Sequence, residues 1–261
     1  MNTQTQQQNS NVIRIATHTP ISNERQFDPE TAIAEIKQCA REAFSVLSSS
    51  MAFQQVAAQK VGPEEYKQVL QEIYYQTRET PGLMGQFGFN LSSKRREGMK
   101  TLFKHASAEM GHDQMALADL ETLGVDRTSV ETQHPLPATS ALIGYAHYQT
   151  TQMNPVGFLG FIYFLEFLPS MSGHQYADQL EAGGVPRAAM TFIEEHAHVD
   201  VAHTKLLDQY VRSMVRTVED LEEVKYCIRT TAYLYGEMIG SAIRNAKTPF
   251  ERGQFPREII N

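Results

Sequence analysis

The stretch that decides the fold is TFIEEHAHVDVAHTKLLDQY, residues 191–210. At 100° per residue, His196, Asp200 and His203 share one side of a helix, within about 60° of one another and about 10 Å along its axis. Phe192, Val199 and Leu206 fall beside that stripe, so it faces an interior or a cavity. His198 lies about 200° from His196 and faces elsewhere. A buried carboxylate needs a compensating partner, and an H-x3-D-x2-H stripe supplies the donor types of a divalent-metal site.

Outside this helix the chain reads as helical throughout. Residues 1–25 are rich in Gln, Asn and Thr and are expected to be a flexible tail. Proline or an N-cap residue then repeatedly opens a periodic segment. Asp28-Pro29-Glu30 starts a helix to about Ser48, with MAFQQVAAQK as its continuation. Pro63 starts one to about Thr77, which Thr80-Pro81-Gly82 breaks. A long helix is expected from Ser92 or Ser93 to Gly124. Further helices run from about Thr139 to Gln152, from Asn154-Pro155 to before Pro169, from His174 to Leu180, from Pro186 to about Val215 and from Val218 to Ala246. No strand alternation and no internal repeat competes with this reading. The expected architecture is all-α: a single bundle of seven or eight helices over residues 26–250, with 251–261 as a C-terminal tail.

Composition narrows the function classes. The chain has 261 residues, is 41% hydrophobic and carries a formal net charge of −7, the profile of a globular chain rather than a polyanion binder. KRRE at 94–97 is a short basic cluster of helix-start type, so no nucleic-acid partner is expected. The longest apolar run, Val156–Leu168, is interrupted by Glu166 and too short to span a bilayer. The N-terminus has no apolar signal stretch. The expected setting is therefore cytoplasmic, with no membrane partner. Two cysteines, Cys39 and Cys227, exclude a disulfide scaffold and a cysteine-based zinc site.

Two further elements join the histidine stripe. HASAEMGH (105–112) holds Glu109 and His112 three residues apart, with His105 one turn earlier. GFLGFIYFLEFL (157–168) is apolar all round except for Glu166, so its helix is central and the lone carboxylate there calls for a cation. Glu109, His112, Glu166, His196, Asp200 and His203 make three carboxylates and three imidazoles. That exceeds the two-His-one-carboxylate set of a mononuclear iron site and the four ligands that close a zinc site; it suits two iron ions with open positions.

These residues, in this order and separation, resemble the haem-oxygenase-like diiron oxidases and oxygenases, whose helical fold is shared with thiaminase-like and pyrroloquinoline-quinone-synthase-like proteins. The resemblance covers about residues 30–246. It implies two Fe(II)/Fe(III) ions held by the six residues, O2 as co-substrate and a peroxo-diferric intermediate. It also implies oxidation of a bound small molecule in a biosynthetic role, with a small-molecule partner and, as relatives are often dimers, a homodimer. Known reaction types are N-oxygenation, C–C cleavage or desaturation of amino acids, and oxidative decarboxylation of fatty acids. An amine or amino acid is the first substrate class expected, a fatty acid the second. Some members place their first carboxylate where this chain has His105, which leaves His105 as a supporting or occasional ligand. Some add a carboxylate from an earlier helix, for which Glu65 or Glu72 stand as candidates. Tyr163, Glu195 and Tyr75 are candidates to orient the imidazoles. Phe161, Tyr163, Phe164 and Tyr75 are candidate pocket walls, and PGLMGQFGFN (81–90) is a candidate access loop.

Three other readings remain at this stage. A ferritin-like diiron protein would use Glu195-x2-His198 in place of the H-x3-D-x2-H stripe. A metal-free thiaminase-like hydrolase would need Cys39 or Cys227 as nucleophile. A non-catalytic module could retain the metal site alone. A haem oxygenase would require a histidine in the first helix, and the first helix has none.

Overall fold

The computed structural model describes residues 27–91, 95–198 and 200–253, with the side chains of 198 and 200–204 excepted. The expected N-terminal tail, the helix start at Ser92 or Ser93, residues 254–261 and the side chains of His198, Asp200 and His203 lie outside the described residues.

The described residues form eleven α-helices and no β-strand: α1 (Pro29–Ser48), α2 (Met51–Ala57), α3 (Pro63–Asn90), α4 (Arg96–Glu109), α5 (His112–Thr122), α6 (Arg127–Glu131), α7 (Pro137–Thr151), α8 (Phe158–Ala182), α9 (Thr191–His198), α10 (Asp200–Met214) and α11 (Val218–Asn245). The all-α reading holds. The helix openings follow local chemistry as expected: Asp28 accepts from the backbone N–H of Glu30 and Thr31 to cap α1, and Thr217 accepts from Asp220 N–H to cap α11. The bundle centre is α8, packed on α11 and α9, with α3 packed on α4, α5, α7 and α11.

Several expected boundaries are corrected. α2 is a separate helix rather than a continuation of α1, and α6 forms between Gly124 and Thr139, where no helix is expected. Pro81 and Pro169 do not end helices; each lies inside one, in α3 and α8. Segment 81–90 is therefore the last third of α3, not an access loop. A proline in a helix cannot donate to the carbonyl four residues back, here Thr77 and Leu165. Side chains beside each proline bond within the same turn. Gln76 Nε2 donates to Thr80 Oγ1 (3.0 Å), and Ser170 Oγ donates to the Phe167 carbonyl (2.8 Å). Burial decides the continuation: Leu83, Met84 and Phe87 beyond Pro81 are buried, as are Ser172, Gly173 and Ala177 beyond Pro169.

Because α8 runs on through Pro169, Pro155–Ala182 is long and apolar enough to cross a membrane by length and composition, with mean hydropathy 1.3. Two-thirds of that window is buried inside the fold, which makes it the core helix of the bundle.

The segment expected as a C-terminal tail is also corrected, as far as residue 253. Arg252 Nη1 donates to Glu72 Oε1 (2.6 Å) and to the His134 carbonyl (3.2 Å), while His134 N–H donates to the Gly253 carbonyl (3.0 Å). Glu72 is fully buried, and it also accepts from Leu136 N–H (2.9 Å) and Thr139 Oγ1. Arg252 and Gly253 thus clamp α3 to the segment that leads into α7. Removing one partner of a buried ion pair leaves the other charge uncompensated, at about 3–5 kcal/mol. Arg252→Ala is expected to lower the unfolding free energy by that amount in urea titration, and Arg252→Lys by less.

Candidate metal centre

Three helices meet beside Glu166, and a left-handed glycine makes the meeting possible. The sequence reading placed Glu109 and His112 on one continuous helix. Instead α4 ends at Glu109 and α5 begins at His112, with Gly111 between them at φ 101°. Only glycine adopts that conformation without strain. The turn brings the last side chain of α4 and the first of α5 to one point.

At that point Glu109 faces two ways. Its Oε2 lies 3.1 Å from His112 Nδ1, and its Oε1 lies 3.4 Å from His105 Nε2. His105 Nε2 is also 3.1 Å from Glu166 Oε1. Ligand atoms of Glu109, His112 and His196 all lie within 4.8 Å of one another, and so do those of His105, Glu109 and Glu166. Glu109 belongs to both groups. Two donors bound about 2.1 Å from one octahedral ion stand about 3.0 Å apart, so these separations suit neighbouring ligands of a common ion. The His112 Nδ1–Glu109 contact is not aligned as a hydrogen bond, and Nδ1 is buried without a hydrogen-bond partner. A buried polar atom in that state is what a metal ion satisfies.

His196 is prepared for the same task. Its Nδ1–H donates to the Phe192 carbonyl one turn back (2.7 Å), which fixes the tautomer and leaves Nε2 as a bare lone pair. The Phe192 ring stacks on the imidazole at 4.1 Å, and the His112 ring stands edge-on to it at 4.9 Å. Burial lowers the pKa of His196 and keeps it neutral. Asp119 of α5 holds the start of α9 in place, accepting from Thr191 Oγ1 (2.6 Å) and Phe192 N–H (2.9 Å). Gly173 of α8 lets α9 approach closely: a Cβ there would lie 2.7 Å from the Cβ of Ala197.

His105 is more central than the sequence reading made it. It is buried, and its Nδ1 lies 3.1 Å from the Tyr210 hydroxyl. Burial lowers its pKa, but the Glu109 and Glu166 carboxylates overcome that and raise it to about 9. Without metal, the His105 imidazolium is the cation between two carboxylates. Burial raises the pKa of Glu109, and the two imidazoles beside it more than reverse that, holding it ionised. Tyr210 was not singled out in the sequence; its signal is the seven-residue step from His203 along one helix face.

Other candidates fall away from this point. Glu65 accepts from Gly62 N–H (3.2 Å) at the start of α3, and Glu72 is consumed by Arg252. Glu195 is exposed, so it neither orients an imidazole nor serves the ferritin-like arrangement. Tyr75 donates to the Val130 carbonyl (2.7 Å) instead. A cavity of about 80 Å³ adjoins the centre, walled by Phe161, Ile162, Leu165, Met84 and Thr77 together with Glu109, Glu166 and His196. Of the expected walls Phe161 lines it, whereas Tyr163, Phe164 and Tyr75 do not. Tyr235 of α11 also lines it. The cysteines are poor nucleophiles: both are buried, and burial raises both pKa values, that of Cys227 to about 11.

Residues 67–236 match the model of a family described as iron-containing redox enzymes. No curated protein sequence matches the chain. Among solved structures, a domain of unknown function with a heme oxygenase-like fold from Shewanella denitrificans superposes with TM-score 0.71 at 23% identity, over 85% of this chain and 94% of that one. A TenA homolog from Pseudomonas syringae does so with TM-score 0.65 at 13% identity, over 84% and 96%. Heme oxygenase-1 from the cyanobacterium Synechocystis, solved with heme, gives 0.64 at 10% identity, over 83% and 94%. These likenesses show a haem-oxygenase-like helical fold.

The elevated pKa of His105 has a consequence for the metal-free chain. A group whose pKa rises on folding, here from its ordinary 6.5 to about 9, stabilises the fold fully below the lower value. That stabilisation is lost as pH climbs through the higher one. Chemical denaturation of metal-free protein is expected to show stability falling between about pH 6.5 and 9, and His105→Gln is expected to flatten that fall.

Proposed function

Because the chain belongs to the family of iron-containing redox enzymes, we propose that it is an O2-dependent non-haem diiron oxidase or oxygenase acting on a small molecule. The observation that carries this reading is Glu109, whose two oxygens face different imidazoles and which belongs to both donor groups. A carboxylate shared between two donor sets is the arrangement that spans two cations. The donor set is all oxygen and imidazole, which suits iron and excludes the thiolate sites of structural zinc.

Glu109, His112 and His196 would hold one ion, with Asp200 and His203 added from their spacing on the helix stripe. Glu109 and Glu166 would hold the other, with His105 as the neighbouring imidazole. When bound, iron supplies the one-electron and O2 chemistry that no side chain here can perform. The chain's own residues do the rest. Phe192 fixes His196 through its carbonyl and its ring, and Tyr210 fixes His105. Phe161, Ile162 and Leu165 keep bulk water from the cavity beside the carboxylates. Pro81 and Pro169 deprive the Thr77 and Leu165 carbonyls of their usual i+4 donors, and both residues lie on the cavity wall. An amine or amino acid remains the first substrate class and a fatty acid the second; the apolar walls favour members of either that carry an apolar body. Two reduced, buried thiols accord with a cytoplasmic setting.

Anaerobic loading with Fe(II) is expected to retain two ions per chain after desalting. Glu109→Gln is expected to retain one or none, and to abolish substrate-dependent O2 uptake. Retention of two ions by the Glu109→Gln protein would remove the basis of the diiron reading.

A further inference from the structure

The outer side of α11 carries a stripe of exposed side chains. Glu222, Tyr226, Arg229, Tyr233, Glu237 and Arg244 fall within about 80° of one another around the helix axis. All six are exposed, including two aromatic rings, Tyr226 at 47% and Tyr233 at 68%. Arg229, Glu237 and Arg244 form no ion pair among the described residues. Beside the stripe, a groove of about 630 Å³ separates α11 from the corner where α1 meets α2. Val46 and Met51 line that groove, 75% and 76% exposed, together with Tyr233 and Glu237. Large apolar and aromatic side chains grouped on a surface in this way mark a docking face.

The order of the stripe says what fits it. Counted outwards from Tyr233, Arg229 stands four residues to one side and Glu237 four to the other. Tyr226 and Gly240 stand seven away, and Glu222 and Arg244 eleven. Each step pairs a charge with its opposite, or a ring with a residue that has no side chain. A second α11 laid antiparallel on the first, with a two-fold axis at Tyr233, therefore sets Arg229 against the partner's Glu237 and Glu222 against the partner's Arg244, each twice. Tyr226 meets the partner's Gly240, and the two Tyr233 rings meet at the axis, where they can stack. In the single chain Arg244 Nη1 lies over Gly240, 3.2 Å from where a Cβ would stand; turning out to the partner's Glu222 uncovers that space. Other arrangements oppose like charges. A parallel pair sets Arg229 on the partner's Arg229. Sliding the antiparallel pair by two turns sets Arg229 on the partner's Arg244, or Glu222 on the partner's Glu237.

We propose that this face binds a second copy of the chain, forming a two-fold dimer in which the two α11 helices pack antiparallel in the register centred on Tyr233. The contact runs from Glu222 to Arg244, about 33 Å of helix. The aromatic rings supply its centre and the four ion pairs its register, as flanking charges do between paired helices. Val46 and Met51 stand beside the helix pair and extend its apolar part. The proposal stands on α11 and its neighbours and is independent of the metal reading.

Sedimentation equilibrium of the full chain tests it. The wild-type chain is expected to sediment as a dimer at micromolar concentration. Arg229→Glu and Glu237→Arg each turn two ion pairs into two like-charge contacts, and each alone is expected to weaken self-association about a hundredfold or more. Mixed in equal amounts, the two variants are expected to pair with each other, because the mixed dimer again opposes Glu to Arg at both contacts. Misfolded chains would not recover on mixing. Register is read by cross-linking, since Cys39 and Cys227 are both buried. Tyr233→Cys is expected to give an interchain disulfide on mild oxidation. Tyr226→Cys is expected to give none, because its two copies stand about 21 Å apart along the helices, beyond disulfide reach. A monomeric wild-type chain would overturn the proposal, as would a dimer that tolerates both charge reversals, or one that cross-links at residue 226 but not at 233.

Discussion

Three ionisable groups in the interior constrain everything around them. Glu109 and Glu166 place two carboxylates against the apolar core helix α8, with His105 between them. Like charges at such separations repel by about 4 kcal/mol even at an effective dielectric of 20, and each has lost much of its hydration. Positive charge has to come from somewhere. In the metal-free chain a proton on His105 supplies it; in the loaded chain, metal ions do. The same acids that would destabilise an empty core therefore give that core a reason to take up metal, as the proposed function requires.

The rest of the bundle positions that cluster through a few local devices. Gly111 turns the chain so that α4 and α5 contribute Glu109 and His112 to one point. Asp119, on α5, accepts from the Phe192 N–H in the first turn of α9 and so ties the His112 helix to the His196 helix. Gly173 admits α9 to close range of α8. Pro81 and Pro169 interrupt the hydrogen-bond ladders of α3 and α8 beside the cavity without ending either helix. The two long helices thus continue past their prolines and give the cavity mostly apolar walls.

Much of this was legible from residue spacing, and the failures share a physical cause. The apolar environment of Glu166 required only helical periodicity and the cost of burying charge, whereas Glu109 and His112 meet through the Gly111 turn between two helices rather than on the one helix that their spacing suggests. His196 also came from its stripe, and it now stands beside His112. Local signals misled wherever tertiary burial overrode them. Thr80-Pro81-Gly82 looks like a break, yet the buried faces on either side hold α3 together. Glu72 looked like a spare ligand, because nothing nearby in sequence announces that Arg252 returns to pair with it across 180 residues. His105 was undervalued because its significance depends on Tyr210 and Glu166, both distant in the chain. Tyr235 escapes a reading from spacing, since periodicity reveals that a side chain is buried but not that it borders a cavity.

The central claim is that one carboxylate, Glu109, joins two metal positions. Diffraction from crystals of the anaerobically Fe(II)-loaded chain, recorded on either side of the iron absorption edge, tests it most directly. Two anomalous peaks are predicted, one on the His112/His196 side of Glu109 and one on its Glu166 side. A single peak, or a pair of peaks that does not share Glu109, would contradict it.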